Sequence, residues 1–104
     1  MVLFVVKYDL HPDKLEAFRK VAEDALKRIP AVPGLVEFRA YRGAVGAPRI
    51  VETYEFVDMA AWAASWSNEE VQKKVTEFAP FSRNLKRELW GPSPVVPAPI
   101  RPGK

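Results

Sequence analysis

The stretch FVDMAAWAASWSNEEVQKKV, residues 56–75, leaves a strand, enters a helix, breaks, and enters another. Asp58 suits a helix N-cap because its carboxylate can accept a backbone N–H. Met59, Trp62 and Trp66 then share one face at spacings of three and four. Ser67 with Glu70 has the form of a capping box, so a second helix is expected from there, bent away from the first. Val71, Val75 and Phe78 repeat the apolar face in it. Ala60, Ala61, Ala63 and Ala64 leave space around the two indoles, which either fill a core or line a pocket.

Working outward, Arg49–Val57, RIVETYEFV, is a strand, and Leu35–Ala44, LVEFRAYRGA, is the strand before it. In the earlier one Val36, Phe38 and Ala40 point one way, and Glu37, Arg39 and Tyr41 the other. The VGAP turn between them makes an antiparallel hairpin. Residues 2–10, VLFVVKYDL, are apolar on both faces except at Lys7, as in a central covered strand. The segment HPDKLEAFRKVAEDALKRIP follows. There Leu15, Phe18, Ala22, Ala25 and Ile29 form a helix face, Pro12 suits its start, and Pro30 ends it. RNLKRELW, residues 83–90, alternates Leu85, Arg87 and Leu89 against Lys86, Glu88 and Trp90. The order strand, helix, strand, strand, helix pair, strand predicts an α+β chain of ferredoxin-like βαββαβ form. Its four strands make an antiparallel sheet with helices on one face. Residues 1–90 are expected to be this domain. Residues 91–104, with prolines at 92, 94, 97, 99 and 102, form a Pro-rich C-terminal tail.

Composition excludes several chemistries. The chain has 104 residues, 48% of them hydrophobic, enough for a single core. There is no cysteine and only one histidine, His11, so disulfides, thiolates and a histidine-built zinc site within one chain are ruled out. The net charge of +3 is not concentrated. Lys20, Lys27 and Arg28 are offset by Glu16, Glu23 and Asp24, and Lys73 and Lys74 follow Glu69 and Glu70. Such mixing argues against nucleic acid as a partner. No run approaches about 18 apolar residues, so no membrane partner is expected. The N-terminal run lacks the charge and cleavage pattern of a signal peptide, and a cytoplasmic location is expected.

With helices on one face, the other should carry Glu37, Arg39, Tyr41, Lys86, Glu88 and Trp90. It should also carry either Glu52 and Tyr54 or Thr53 and Glu55. A broad aromatic-bearing face with alternating charges is expected to pack against a second copy, giving a homodimer through the sheet.

The order, the LHPDKLEAF start of the first helix and the passage YEFVDMAAWAASWSNEEVQ resemble the antibiotic biosynthesis monooxygenase family, of the dimeric α/β barrel superfamily. The resemblance spans roughly residues 2–90. It implies a pocket between sheet and helices with Trp66 in its wall. It also implies a cofactor-independent monooxygenase, or a cyclase or isomerase on the same barrel, acting on a small aromatic or polyketide-like ligand. The alternative is a non-catalytic small-molecule-binding or stress-associated barrel. Heme-degrading members carry a first-strand asparagine, this tryptophan and a later histidine. Here those places hold Lys7, Trp66 and Thr76, so no heme and no other cofactor is expected. A cofactor-free oxygenase must deprotonate and orient an electron-rich phenol and exclude water. Trp66, Tyr54 and Arg39 are the candidates for catalysis, and Trp62, Tyr41, Asn68 and Arg83 for substrate binding. Tyr8 and Lys7 are further candidates, and His11 is a candidate general base or a helix-entry residue.

Overall fold

The β-branched run at the N-terminus forms β1 (Val2–Leu10), at the interior of a four-stranded antiparallel sheet. The computed structural model describes residues 1–46 and 49–103. A short 3-10 turn, Pro12–Lys14, leads into α1 (Leu15–Arg28), and a second, Ile29–Ala31, leads out. The hairpin is β2 (Leu35–Arg42) and β3 (Ile50–Phe56). The helix pair is α2 (Met59–Trp66) and α3 (Glu69–Phe78), and the turn Ala79–Phe81 passes to β4 (Ser82–Trp90). The strands lie in the order β2-β3-β1-β4. This is the ferredoxin-like arrangement the element order predicts. Of the VGAP turn, Ala47 and Pro48 lie outside the described residues, as does Lys104 of the tail.

The two helices of the pair break where expected, but the cap differs by one residue. Ser67 keeps helical angles and closes α2 by donating its backbone N–H to the Ala63 carbonyl at 3.0 Å. Asn68 is extended, and its side-chain oxygen accepts from the backbone of Glu70 and Val71 at 2.8 and 3.3 Å. An amide oxygen on an extended residue reaches both open N–H groups; a serine still inside the helical turn does not.

Two bulges adjust the side-chain alternation. In β2 it falls between Leu35 and Glu37. Leu35 therefore takes the inward place against the core, and Val36, expected inward with Phe38, is half exposed. In β4 it falls opposite Lys7–Asp9, where Asn84 adopts φ 55°. Asparagine tolerates that left-handed conformation better than most residues. The result is that Arg83 faces Asp9 while Arg87 faces Val6. Two arginines four apart, which would share a face of an unbroken strand, are sent to opposite faces.

The core sits under the helix side of the sheet. Val2, Phe4 and Phe56 are its buried centre, with Val6, Val32, Leu35, Trp62, Trp66 and Leu89 packed against them. Fully burying an apolar side chain contributes about 1.5–3 kcal/mol, and the partly covered ones correspondingly less. The first-helix face holds except at Leu15, which is half exposed. Lys74 ties α3 to Asp24 of α1, and Arg28 of α1 reaches Glu70. Val5, on the face away from the helices, is only 2% exposed between Thr53 and Glu88. Residues 91–103 carry no helix or strand and are exposed. The Cα radius of gyration is 15.0 Å, against about 13 Å for a compact chain of this length. No described helix is long and apolar enough to cross a membrane.

Candidate functional site

Strand register decides which side chains meet beneath the helices. Phe4 of β1 has Tyr54 opposite it on β3 and Leu89 on β4, and Tyr54 in turn faces Phe38 on β2. Thus Glu52 and Tyr54 point toward the helices, and Thr53 and Glu55 point to the open face. From above, α2 lowers its two tryptophans onto Phe4. The ring centroids lie 5.7 Å away for Trp62 and 5.4 Å for Trp66. The indoles are themselves nearly parallel, 11° apart at 6.3 Å. Asp58 holds the helix start by accepting from Ala61 N at 2.8 Å. Gln72 donates to the Trp66 carbonyl at 2.6 Å, steadying the far end.

The alanines play a different part from the one expected of them. Ala60, Ala63 and Ala64 are exposed on the outer side of α2 and open no space at the indoles. Ala61 packs inward beside Gly34, whose carbonyl accepts from Val57 N at 2.9 Å. Small residues here let the helix approach the preceding turn.

Beside this aromatic cluster lies a polar one. Tyr8 donates to Glu52 Oε2 at 2.7 Å, and Tyr54 donates to Glu52 Oε1 at 3.0 Å. Both phenols are held well above their ordinary ionisation range. Burial is the main cause, with the adjacent Glu52 charge and hydrogen bond adding to it. They therefore remain donors. One cross-strand row reads Ala40, Glu52, Val6, Arg87, which sets an acid and a base on either side of a valine. The Arg87 guanidinium carbon lies 5.4 Å from the Trp66 ring centroid, a cation–π contact. The indole N–H of Trp62 is buried, with no acceptor among the described residues.

Trp62, Trp66 and Tyr54 are thus brought together, with Tyr8 adjoining them. Arg39 and Tyr41 are not. They lie on the open face, where Arg39 pairs with Glu37. Arg83 is there as well, opposite Asp9, and Asn68 is occupied as the α3 cap. Lys7 also faces away from Trp66, bonded to Glu88 at 3.0 Å and lying 5.5 Å from the Trp90 ring. His11 enters the first turn with its Nδ1 buried and without a partner among the described residues, its backbone N–H donated to the Phe81 carbonyl. Among the described residues, surface depressions lie along the outside of α3 and at the sheet end beside Trp90 and Pro92. Glu52 and Arg87 are the functional candidates that the sequence reading passed over. Arg87 was signalled by its place between Leu85 and Leu89, a cation in a row otherwise turned to the core. Among the described residues, no three His, Cys, Asp or Glu side chains come together to hold a metal ion.

The model of the antibiotic biosynthesis monooxygenase family matches residues 1–77. SnoaB from Streptomyces nogalater, a cofactor-independent oxygenase solved as its N63A mutant, superposes with a TM-score of 0.75 at 18% identity. That match covers 93% of this chain and 97% of SnoaB. HapK from Hahella chejuensis gives 0.72 at 20% identity, over 90% of this chain and 94% of that one. A dabb family protein with a ferredoxin-like fold from Mesorhizobium loti gives 0.75 at 19%, over 88% and 96%. At these identities the likeness is one of fold. By sequence, no curated protein matches the chain.

Proposed function

Because the chain belongs to the antibiotic biosynthesis monooxygenase family, we propose that it is a cofactor-independent monooxygenase acting on a small aromatic or polyketide-like molecule. The substrate is bound between sheet and helices, and the protein works as a homodimer joined through the open sheet face. The observation that carries this reading is that Trp66 and Tyr54 both lie against Phe4 on the helix side, with Arg87 over the Trp66 ring. Aromatic walls orient a flat substrate and exclude water, and a guanidinium stabilises the phenolate that reduces dioxygen. Arg87 takes the part for which Arg39 was the sequence candidate. Arg39 and Tyr41 then belong to the subunit contact, where Tyr41 and Trp90, each half exposed, supply its apolar area.

A second reading, a binding barrel without catalysis, draws on the stacked indoles. Trp62 and Trp66 both lie against Phe4 and occupy room a substrate would need. Oxygen uptake with pooled phenols and hydroquinones separates the two. Turnover by the wild type that is lost in Arg87→Ala supports the oxygenase. Binding of the same compounds with no uptake leaves the binding barrel in its place.

A further inference from the structure

Glu52 is set into the helix-facing side of the sheet with partners that do not use up its capacity. Each carboxylate oxygen accepts one tyrosine hydroxyl, from Tyr8 at 2.7 Å and Tyr54 at 3.0 Å. An ionised carboxylate offers about four acceptor positions, so about half of them are unfilled. Among the described residues no lysine or arginine nitrogen lies within ion-pair distance of it. Two hydroxyls could be received as well by a neutral amide oxygen. Keeping a charge partly away from water has a cost that a purely structural post would not require. Both phenols stay protonated, so they fix the carboxylate's orientation without competing for a proton.

We infer that Glu52 is the catalytic base of the site, accepting a hydrogen bond from the substrate's hydroxyl and then its proton. This rests on the reading of the site as one for hydroxylated aromatics. In the step, the substrate O–H bond breaks, its electron pair stays on the substrate oxygen, and the proton bonds to a Glu52 oxygen. The products are a substrate oxyanion and a neutral carboxylic acid, and no other reactant is consumed. The oxyanion is the species that dioxygen then oxidises.

The choice of a carboxylate narrows the substrate class. A carboxylate as base is matched to a hydroxyl whose oxyanion is delocalised rather than to that of a simple phenol. The substrate hydroxyl is therefore an acidic one: an enol of a dicarbonyl, or a phenol conjugated to a carbonyl. Arg87 stands two strands from Glu52, across Val6, about 9.5 Å between backbones. A ring carrying a hydroxyl at one end and a carbonyl at the other would address both groups, with its carbonyl oxygen toward the guanidinium.

The test compares para-hydroxyacetophenone with its O-methyl ether, at a pH where the phenol is un-ionised, by quenching of tryptophan fluorescence. The ether keeps the ring and the carbonyl but has no proton to donate. Wild type is expected to prefer the phenol by about 10- to 100-fold, the worth of a hydrogen bond to a charged acceptor. Glu52→Gln is expected to bring the two within about threefold while still binding the ether. Should Glu52→Gln fail to fold, Tyr8→Phe/Glu52→Gln leaves no stranded hydroxyl at Oε2 and carries the same comparison. Equal binding of both probes by wild type, or a preference that survives in the variant, removes Glu52 from the role and leaves the site standing. If wild type binds neither probe, the aromatic site falls, and the base with it.

Discussion

Gly34 is where a single methyl group should do the most damage to the site without touching it. Its φ of +75° is a conformation that L side chains rarely adopt, and a Cβ there would stand 2.6 Å from the Cβ of Ala61. Ala61 has no rotamer to change, so α2 itself must move. The left-handed backbone costs a non-glycine residue about 1–2 kcal/mol, and forcing a methyl into filled space about 1–3 kcal/mol. Reduced freedom in the unfolded chain returns about 0.4–1 kcal/mol. Gly34→Ala should therefore lose about 3 kcal/mol, a fall in Tm on the order of 15 °C for a domain of this size. Gly46 is the control, since its φ is +74° and among the described residues nothing lies within 4 Å of an added Cβ. Gly46→Ala should lose only about 1 kcal/mol, the backbone part alone. Urea unfolding at one fixed protein concentration measures both, because dissociation of a dimer would otherwise enter the comparison. Adding Ala61→Gly to Gly34→Ala should recover part of the loss in a double-mutant cycle. If the two glycine variants lose the same amount, or the cycle shows no interaction, the close approach of the Gly34 turn to α2 is refuted.

Trp66→Ala should lose about 2–4 kcal/mol and Trp66→Phe about 1 kcal/mol, the first below the value for a fully buried indole because Trp66 is only partly covered. If only the alanine variant is destabilised and neither alters ligand binding, the indole is packing and nothing more. Ultraviolet titration should find Tyr8 and Tyr54 un-ionised past pH 10 in the folded protein, since both phenols are raised by burial and by Glu52. Their contribution to stability is whole below the unfolded phenol value of about 10 and is lost as pH climbs from there toward the folded values. Ionisation of these two phenols near pH 10 with the fold intact would contradict the network. Trp90→Glu should convert a dimer to a monomer in sedimentation equilibrium, by placing a charge where the open face is expected to be covered. A wild type that is already monomeric in dilute solution removes the sheet-to-sheet contact.

The element order was legible because periods of two and of three-to-four residues alternate along the chain, with clear signals at Pro30, Asp58 and the Ser67–Glu70 break. The site was legible in part. Trp62 and Trp66 announced themselves by spacing, but the partner face of β3 did not. In ETYEFV both alternating sets mix acid with hydroxyl or aromatic, so neither looks apolar, and only pairing of Tyr54 with Phe4 assigns Glu52 to the helix side. Arg39 was already separated from Phe38 by the alternation of β2, and naming it for the site gave chemical type more weight than direction. Arg87 was overlooked for the converse reason: a charge between leucines reads as a surface residue until β4 is aligned on Val6. The bulges at Val36 and Asn84 left no signature strong enough to place them beforehand.

The kink at Asn84 makes the destination of a cation in β4 a matter of counting rather than of composition. The alternation changes phase across it, so that odd-numbered residues on the Arg83 side face the open surface and those on the Arg87 side face the helices. Sliding that single defect past Arg87 would carry the guanidinium from the helix side of the sheet to the opposite surface with the amino-acid composition unchanged. Ligand chemistry and subunit recognition could in this way be exchanged in the strand by relocating one left-handed residue.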